Sequence, residues 1–555
     1  MPQPWLASYP EGMPVHIDMG GYTSLVDMLD QASNKHAEQI ASVSFDVPMT
    51  YRARDNHAMA FARWLQSLSL PAGARVALMM PNVAAYMVAV LGTLKAGHVI
   101  VSVNPMFTPR ELQLQLKDSG ASVIVVFESF AHTLEQVTGC DTLLHRVVAA
   151  PGDMLGLLKG ALINIVTRHI KKIVPRWHLP GALRWQDVLR QGQLLPWQAP
   201  VLRLEDLAML QYTGGTTGQP KGAMLSHGNL VANVLQVQEV AMPALRDVLN
   251  QPLTILAALP LYHVFAMTIC GLYGMHAGMK SLLVINPRDR KALIRIWNKY
   301  PVNIFPGVNT LFNALMQEPA FCQLDFSTLR LAFGGGMALQ AKVAEQWMQL
   351  TGQPLIEGYG LSETSPVAAA NPTNARFFSG SVGLPVPGTD IIILDAHGQA
   401  VSPGEHGEIA IRGPQVMQGY WQSPQEQADV LREDGFFLSG DIGWMDARGF
   451  VYIADRKKDM ILVSGFNVYP SEVEAVAIAH PGVLECAVIG VPDAQAGERV
   501  KLFVVRKEVS LTEAAMLDWC RQNLARYKCP RIIVFCDELP KSHVGKILKR
   551  ALRDG

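Results

Sequence analysis

The stretch from Tyr212 to Gly222, YTGGTTGQPKG, concentrates residue types that bind phosphate groups. Its glycines let backbone N–H groups approach phosphate oxygens closely, its threonine hydroxyls donate hydrogen bonds, and Lys221 supplies positive charge. A Gly/Thr surface turn is the plain alternative, but so many phosphate-binding groups in one loop favour a nucleotide site. The residues that we expect to contact the phosphates are Thr213, Gly214, Gly215, Thr216, Thr217, Gly218 and Lys221.

The setting of Lys221 excludes one common kind of phosphate site. The lysine stands between Pro220 and Gly222, whereas the phosphate loop of kinase-type enzymes carries Gly-Lys-Ser/Thr at the start of a helix. The loop therefore predicts a nucleotide site of another kind.

Further motifs follow along the chain. They are LPLYHVFA (259–266), GGGM (334–337), GYGLSET (358–364), LSGDIG (438–443), DRKKDMILVSGFNVYPSEVE (455–474) and LPKSHVGKILKR (539–550). With the phosphate loop, they resemble the ordered motifs of adenylate-forming enzymes, which include acyl-CoA synthetases, adenylation domains and luciferases. Five segments are similar to those of bacterial long-chain-fatty-acid–CoA ligases: LYHVFAMTICGLYG (261–274), NPRD (286–289), VNTLFNAL (308–315), DRKKDMILVSGFNVYPSEVE (455–474) and the basic segment at 156–180. Ser439, Ala338 and Cys529 depart from the usual motif residues, but none of them replaces a charged or metal-binding group.

The resemblance implies a two-step reaction that uses ATP, Mg²⁺ and coenzyme A. A fatty-acid carboxylate attacks the α-phosphorus of ATP and releases pyrophosphate, and the thiol of coenzyme A then attacks the acyl-adenylate and releases AMP. The first step brings an anion against a polyanion, so it needs cations more than it needs a base. Medium-chain or aryl acids, or transfer to a carrier protein, remain open alternatives.

Three residues have the most direct roles by resemblance. Lys546 would reach the carboxylate and the α-phosphate and offset their repulsion as a mobile point charge. Glu363 would bind Mg²⁺, which accepts one carboxylate and fills its shell with waters and phosphates. His263 would lie at the mouth where the carboxylate meets the phosphate, without acting as a general base.

The nucleotide would bind around several motif residues. Asp441 would accept hydrogen bonds from the ribose hydroxyls, Arg456 would approach the ribose, and Ser362 would lie near the α-phosphate. The adenine slot and its surroundings would be formed by Gly334, Gly335, Gly336, Glu357, Gly358, Tyr359 and Gly360.

The position of Lys546 requires a domain movement, because the same site must later admit a thiol. By resemblance, the C-terminal part would rotate about Lys458, withdraw Lys546, and bring the loop of Ser464, Gly465 and Phe466 toward coenzyme A. Such rotations are absorbed by a few residues. We therefore expect a large ATP- and acyl-binding domain over 1–455 and a small C-terminal domain over 456–555.

Short apolar runs must position these motifs. RVALMM, HVIVSVN, ASVIVVF, TILAAL and VNIFPGV alternate with helical segments such as AAYMVAVLGTLKAG, which predicts parallel sheets covered by helices. After about residue 380, short strands between Gly/Pro turns predict a β-rich subregion, and the final segment of about 100 residues suits a small α+β domain. The fold class is α/β in layers, as in adenylate-forming enzymes.

Composition bounds the remaining possibilities. Net charge is zero over 555 residues and 17% of them are charged, which argues against a nucleic-acid-binding protein. The seven cysteines contain no CxxC pair, so we expect reduced thiols and no zinc site. The N-terminus lacks a signal-peptide pattern, and we expect a cytoplasmic protein; a homodimer is left open.

Two segments raise the question of a membrane. Pro252 to Met279 contains no Asp, Glu, Lys or Arg, but Pro260, His263 and glycines interrupt it, which favours a buried strand, loop and helix over a membrane span. Residues 156–180 form a basic amphipathic helix with an apolar face that includes Leu158 and Leu162. We favour packing of that face on the protein body, and peripheral contact with the cytoplasmic membrane is the alternative.

Overall fold

The computed structural model describes residues 3–213, 221–463, 466–493, 496–542 and 547–553. The elements up to residue 206 are α1 Leu25–Lys35, β1 Ile40–Ser44, β2 Val47–Thr50, α2 Tyr51–Ser67, β3 Arg75–Met79, α3 Ala84–Lys95, β4 Val99–Ser102, α4 Pro109–Ser119, β5 Val123–Phe127, α5 Ala131–Glu135, β6 His145–Ala149, α6 Leu157–Ile165, β7 Leu183–Arg184 and α7 Trp185–Gln193.

The middle of the chain continues the alternation of strands and helices. Its elements are β8 Leu207–Thr213, β9 Lys221–Ser226, α8 His227–Leu245, β10 Thr254–Ala257, α9 Val264–Ala266, α10 Gly274–His276, β11 Lys280–Leu283, α11 Arg290–Lys299, β12 Ile304–Gly307, α12 Asn309–Met316, α13 Pro319–Cys322, β13 Leu331–Gly334, α14 Ala341–Thr351, β14 Leu355–Gly360, β15 Val367–Ala370 and β16 Leu384–Pro385.

The last third is richer in strands. Its elements are β17 Asp390–Leu394, β18 Gly407–Arg412, α15 Pro424–Val430, β19 Phe437–Met445, β20 Val451–Arg456, β21 Ile461–Val463, β22 Phe466–Val468, α16 Pro470–Ile478, β23 Val483–Asp493, β24 Gly497–Arg506, α17 Glu513–Asn523, β25 Ile532–Cys536 and α18 Lys549–Arg553. Short 3₁₀ turns cover Pro4–Ser8, Glu128–Phe130, Arg246–Val248 and Ser362–Thr364, and π-helical turns cover Val166–Ile170 and Met267–Tyr273.

Two large, mostly parallel sheets form the body. One has the order β7-β6-β5-β3-β4-β8-β9 and the other has the order β16-β15-β14-β13-β12-β10-β11-β1-β2. Only the pairs β8–β9, β14–β15, β15–β16 and β1–β2 are antiparallel in these two orders. The apolar runs thus form parallel strands as predicted, because helices cover both faces of each sheet.

Helix α3 lies in the large core that joins elements of both sheets. Every residue from Ala84 to Lys95 is buried, as expected for a helix that is apolar on all sides. Its terminal Lys95 forms ion pairs with Asp30 and Asp55, so the buried ammonium group is compensated. The phosphate-binding and adenine-binding motifs are therefore mounted on strands held by one common core.

Two smaller sheets follow. Strands β17-β18-β19-β20 form an antiparallel meander, and β22-β21-β24-β23, with β25 beside β24, form the sheet of the C-terminal part. Arg456 ends β20 and Ile461 begins β21, so the chain passes between these sheets through residues 457–460. The layered α/β class is confirmed, and the division after Asp455 remains a prediction.

The uncharged segment 252–279 lies inside the body. It contains β10, α9, a π-helical turn and α10, and Val264, Met267 and Leu272 are buried. This confirms the prediction of a buried strand, loop and helix. Within the described ranges, no helix combines the length and apolar character needed to cross a bilayer. All seven cysteines are free thiols, also as predicted.

The basic amphipathic segment corrects the sequence-based expectation. We expected the apolar face of residues 156–180 to pack on the body, yet Leu157 and Leu158 are 91% and 90% exposed. The opposite side packs instead: a Cβ on Gly160 would meet the carbonyl oxygen of Gly152 at 2.5 Å. Close backbone contact and the ion pair of Arg168 with a buried Glu128 determine which side faces the protein.

Candidate functional site

The phosphate loop connects two antiparallel strands. Thr213 ends β8, Lys221 begins β9, and these two residues face each other in the hairpin register. The intervening Gly214, Gly215, Thr216, Thr217 and Gly218 lie outside the described residues. Gln211 lies on β8 and is buried. Its side-chain amide donates a hydrogen bond to the carbonyl oxygen of Tyr262 at 3.4 Å. The phosphate strand thereby contacts the segment that carries His263.

His263 lies at the start of a short helix. Its Nδ1 accepts a hydrogen bond from the backbone N–H of Phe265 at 3.4 Å, as an N-cap. Asn82 fixes the preceding turn: its side chain donates to the carbonyls of Ala257 and Leu259 and accepts from the N–H of Leu261. Sequence reasoning missed Asn82, because an isolated asparagine distant in sequence gives no local signal.

The glycine-rich adenine motif and the EGYG segment lie on neighbouring strands. Gly334 ends β13, with Gly335 and Gly336 following it, and Glu357, Gly358, Tyr359 and Gly360 form most of β14. Register pairs Gly334 with Glu357. Gly360 is required by a close approach, because a Cβ there would meet the carbonyl oxygen of Pro366 at 1.8 Å.

Glu357 is buried beneath this pair of strands. Its Oε1 accepts a hydrogen bond from the backbone N–H of Leu339 at 2.9 Å. Burial raises the pKa of the Glu357 carboxyl to about 8, against the smaller opposing effect of that hydrogen bond. A carboxyl group of this kind is largely protonated near neutrality and can itself donate a hydrogen bond.

Asp441, Arg456 and Tyr359 form one hydrogen-bonded group. Arg456 lies opposite Asp441 in the β19–β20 register, and its Nε is 2.7 Å from Asp441 Oδ1. Tyr359 donates its hydroxyl hydrogen to Asp441 Oδ2 at 2.7 Å. Burial acts to lower the pKa of Arg456, but Asp441, Tyr359 and Glu363 outweigh it and raise that pKa. Tyr359 and Asp441 are buried, and both oxygens of the Asp441 carboxyl group have protein partners.

Ser439 explains why one departure from the usual motif is harmless. Its hydroxyl donates to the carbonyl oxygen of Ile409 at 2.7 Å and accepts from the N–H of Asp441 at 3.1 Å. The hydroxyl group needs no additional methyl group to hold the aspartate in place.

Glu363 lies in the 3₁₀ turn that also contains Ser362. Burial raises the pKa of the Glu363 carboxyl, while the Tyr420 hydroxyl, which donates to Oε1 at 2.7 Å, opposes this rise. Among the residues described, no cluster of three or more His, Cys, Asp or Glu side chains could hold a metal ion. One carboxylate fits Mg²⁺ bound mainly by phosphates and waters, and it does not fit a metal held by protein ligands alone.

The predicted hinge and thiol-side residues lie beyond β20. Lys458 lies in the turn between β20 and β21, where the N–H of Asp459 donates to the carbonyl of Arg456. Burial lowers the pKa of Lys458, and the neighbouring Arg456 adds to this effect. Phe466 is exposed, and its ring lies 5.0 Å from that of Tyr527. Ser464, Gly465 and Lys546 lie outside the residues that the structure describes.

The structure therefore brings together Tyr359, Asp441, Arg456 and Glu363. It also adds residues that sequence reasoning missed, because Tyr420 lies beside Glu363 and Glu426 is 2.8 Å from Lys221. No local pattern marks either residue, since Tyr420 reaches the site from the segment before α15 and Glu426 reaches it from α15 itself.

Comparison with known proteins finds relatives that match nearly the whole chain. Residues 29–421 match the model of the AMP-binding enzyme family, and residues 472–546 match the AMP-binding enzyme C-terminal domain. The chain is 50% identical to a long-chain-fatty-acid–CoA ligase of Escherichia coli O157:H7, covering all of this chain and 98% of that protein. It is 36% identical to the ligase of the same name from Bacillus subtilis strain 168, covering 99% and 97% of the two chains.

A solved structure supports the same conclusion. The crystal structure of the anthranilate CoA ligase AuaEII in complex with anthranoyl-AMP superposes with a TM-score of 0.83 at 27% identity, covering 97% of this chain and 98% of the other. The motif residues, the fold and these likenesses agree, and the chain belongs to the AMP-binding enzyme family.

Proposed function

We propose that the protein converts a long-chain fatty acid to its acyl-CoA in two steps, with ATP as the energy source. In the first step a carboxylate oxygen bonds to the α-phosphorus and the bond to pyrophosphate breaks. In the second step the sulfur of coenzyme A bonds to the acyl carbon, AMP leaves, and the thiol proton is released. The observation that carries the proposal is the Tyr359–Asp441–Arg456 group beside Glu363, in a chain that is 50% identical to a long-chain-fatty-acid–CoA ligase.

Each side chain has a role that its surroundings support. Asp441 pairs with Arg456 and would accept hydrogen bonds from the ribose hydroxyls, while Tyr359 fixes the orientation of the aspartate. Lys221 binds the β- and γ-phosphates, which leave as pyrophosphate. Glu363 would hold Mg²⁺, which supplies charge neutralisation at the phosphates when it is bound.

Residues of the C-terminal part and the segment that begins at His263 complete the proposal. Lys546 brings positive charge to the carboxylate and α-phosphate from the C-terminal part, and the loop of Ser464, Gly465 and Phe466 serves the thiol after rotation about Lys458. His263 lies at the entrance for the carboxylate. The stretch that follows His263 is one candidate wall of the acyl site, and its first residues, Val264 and Phe265, belong to the core.

The helix after His263 and helix α12 differ as candidate walls. Phe312 and Leu315 of α12 are buried in a core with Trp347 and Phe305, so they stabilise the fold. Leu311 packs against both this core and the core that contains Phe265, which makes it the better candidate for contact with the acyl chain.

A panel of straight-chain acids from C4 to C18, with aryl acids beside them, tests the proposed function. Purified protein with ATP, Mg²⁺ and coenzyme A should release AMP and form thioester in equal amounts, with the highest kcat/KM for long chains. A preference for aryl or medium-chain acids would overturn the chain-length assignment. AMP release without thioester would indicate transfer to a carrier protein and overturn the ligase assignment.

We further propose that the exposed face of α6 and the residues after it make peripheral contact with an anionic membrane. Six large apolar side chains are exposed there: Leu157, Leu158, Leu162, Ile165, Ile170 and Ile173. Lys159, Lys171, Lys172 and Arg176 are exposed beside them. An apolar face bordered by cations suits insertion at the headgroup level of anionic lipids.

Sedimentation with vesicles tests this contact. Wild-type protein should pellet with phosphatidylglycerol vesicles more than with phosphatidylcholine vesicles, and Leu157→Ser/Leu158→Ser should reduce that fraction several-fold. Leu194→Ser, which changes an equally exposed leucine elsewhere, is the control. Equal loss in both variants would contradict the proposal. A homodimer stays a prediction, which sedimentation velocity tests.

A further inference from the structure

The segment Met417–Trp421 connects the phosphate strand to the turn that carries Glu363. The N–H of Met417 donates to the carbonyl of Glu363 at 2.8 Å, and the N–H of Trp421 donates to the carbonyl of Gly222 at 2.8 Å. Between them, Gln418 and Gly419 exchange hydrogen bonds with both backbone groups of Met224. This segment therefore fixes β9 and the Glu363 turn relative to each other.

Tyr420 extends this connection through its side chain. Its hydroxyl donates to Glu363 Oε1 at 2.7 Å, and both side chains are buried. A hydrogen bond between a tyrosine and a carboxylate holds the carboxylate in one orientation. Because the two oxygens belong to one planar carboxyl group, fixing Oε1 also limits the positions that Oε2 can take.

The ring of Tyr420 also contacts the phosphate lysine. Lys221 Nζ lies 5.4 Å from the centre of the Tyr420 ring, and the same Nζ is 2.8 Å from Glu426 Oε1 on α15. An ammonium group at this distance from an aromatic ring is attracted by its electrons. One tyrosine thus contacts both groups proposed to bind the metal–nucleotide complex, the carboxylate through its hydroxyl and the lysine through its ring.

We propose that Tyr420 is a positioning residue that orients Glu363 for Mg²⁺ and seats Lys221 for the outer phosphates, so that the two are presented together to MgATP. The inference rests on the proposed function, because it concerns the nucleotide site of that reaction. Glu426 holds Lys221 until the phosphates of ATP replace it. Tyr420 itself touches neither substrate nor metal in this arrangement.

If Tyr420 only filled the core, its substitution would change nucleotide binding in a different way. Its removal would weaken binding of every nucleotide alike through general loosening of the site. A positioning residue for metal and outer phosphates affects MgATP, which uses Glu363 and Lys221, and leaves AMP without metal unaffected. The distinction is measurable by binding alone.

Isothermal titration with MgATP, and with AMP in EDTA, provides the test. Tyr420→Phe should weaken MgATP binding by about 10-fold, as expected when a residue that orients a metal-binding carboxylate is lost, while AMP affinity stays within about two-fold. The Mg²⁺ concentration for half-maximal ATP binding should rise. Tyr420→Leu, which also removes the ring, should weaken MgATP binding further than Tyr420→Phe.

Tyr51→Phe is the matched control, since its buried hydroxyl donates to the carbonyl of Met279 at 2.8 Å, in another part of the core. It should leave the binding of both nucleotides unchanged. Equal weakening of MgATP and AMP by Tyr420→Phe, or no change in either, would overturn the inference. Failure of the wild-type protein to form acyl-CoA would count against the proposed function instead, and the binding comparison would still decide the role of Tyr420.

Discussion

The wall proposed to face the nucleotide, formed by Tyr359, Glu363, Asp441 and Arg456, and the region around the predicted hinge differ in how their charged side chains are paired. In the wall, Asp441 is buried and bound by both Arg456 and Tyr359, and Glu363 is bound by Tyr420. Beyond β20, Lys457 pairs with Glu408 at the surface, and Phe466 is 58% exposed. An exposed ion pair contributes at most about 1 kcal/mol to the free energy of unfolding. Breaking a buried ion pair lowers that free energy by about 3–5 kcal/mol.

This difference suits a site with one fixed and one moving part. Paired, buried groups do not reorganise when a ligand binds, so they can hold the nucleotide throughout both steps. Weak surface contacts can break and re-form with little change in free energy, and a domain that rotates needs contacts of this kind. The account therefore predicts that variants in the wall impair nucleotide binding, and that variants beyond β20 impair individual steps.

Loss of Lys546, the lysine proposed to act in adenylation, should have the largest effect on chemistry. Lys546→Ala should lower the rate of adenylation by roughly 10²–10³-fold, because it removes charge that stabilises the transition state. Thioester formation from supplied acyl-adenylate should be retained. Pyrophosphate release and thioester formation measured separately check this, with Lys507→Ala as the control. An equal loss in both steps would contradict the separation of roles.

A change in the wall should come next in size. Asp441→Asn removes the ribose acceptor and leaves Arg456 without its carboxylate, and we expect AMP binding to weaken by roughly 100-fold. Calorimetry of AMP binding measures this. Asp446→Asn, which removes a surface partner of Arg448, should change affinity by less than about two-fold. If the two substitutions changed AMP affinity by similar factors, the proposed difference between buried and surface pairs would be contradicted.

A change at the hinge should affect the two steps unequally. Lys458→Pro restricts the turn after β20, so thioester formation should fall by about 10-fold or more while adenylation changes little. Single-turnover measurements of each step decide the matter. Lys457→Ala, one residue earlier and paired only at the surface, should leave both rates nearly unchanged. Unchanged thioester formation in Lys458→Pro would argue against this hinge.

The last prediction concerns stability and not rate. Burial raises the pKa of Glu357 to about 8 from an ordinary value of 4.5. The unfolded chain releases this proton at lower pH than the folded protein, so stability falls as pH rises from about 4.5 through 8. Glu357→Gln should remove that decline, worth on the order of a few kcal/mol.

Thermal melting of wild-type and Glu357→Gln protein between pH 5 and pH 8.5 checks this sign. The stability of the variant relative to wild type should rise steadily from pH 5 and level off above about pH 8. Glu345→Gln, at an exposed position on α14, should follow the wild-type profile. A constant difference across the range would mean that titration of Glu357 is not the cause.

Sequence reasoning was most successful where the signal is local. Apolar runs such as RVALMM and ASVIVVF became the parallel strands β3 and β5, because buried strands need continuous apolar residues. The motifs also placed Asp441 and Arg456 in one site, and the register confirms that they face each other.

Sequence reasoning failed where contacts between distant parts of the chain determine the orientation or the partner of a residue. The amphipathic pattern of α6 predicted a helix, but close contact between Gly152 and Gly160 turned its apolar face outward. Tyr420 and Asn82 were missed for a related reason, since their partners Glu363 and Leu261 lie 57 and 179 residues away. A single polar residue carries no periodic pattern that could predict such partners.

AMP binding compared between Asp441→Asn and Lys458→Pro tests the central claim most directly, namely that the nucleotide wall is complete without the moving part. The account predicts that Asp441→Asn loses roughly 100-fold in AMP affinity while Lys458→Pro stays within about two-fold of wild type. Retained AMP affinity in Asp441→Asn, together with a large loss in Lys458→Pro, would contradict it.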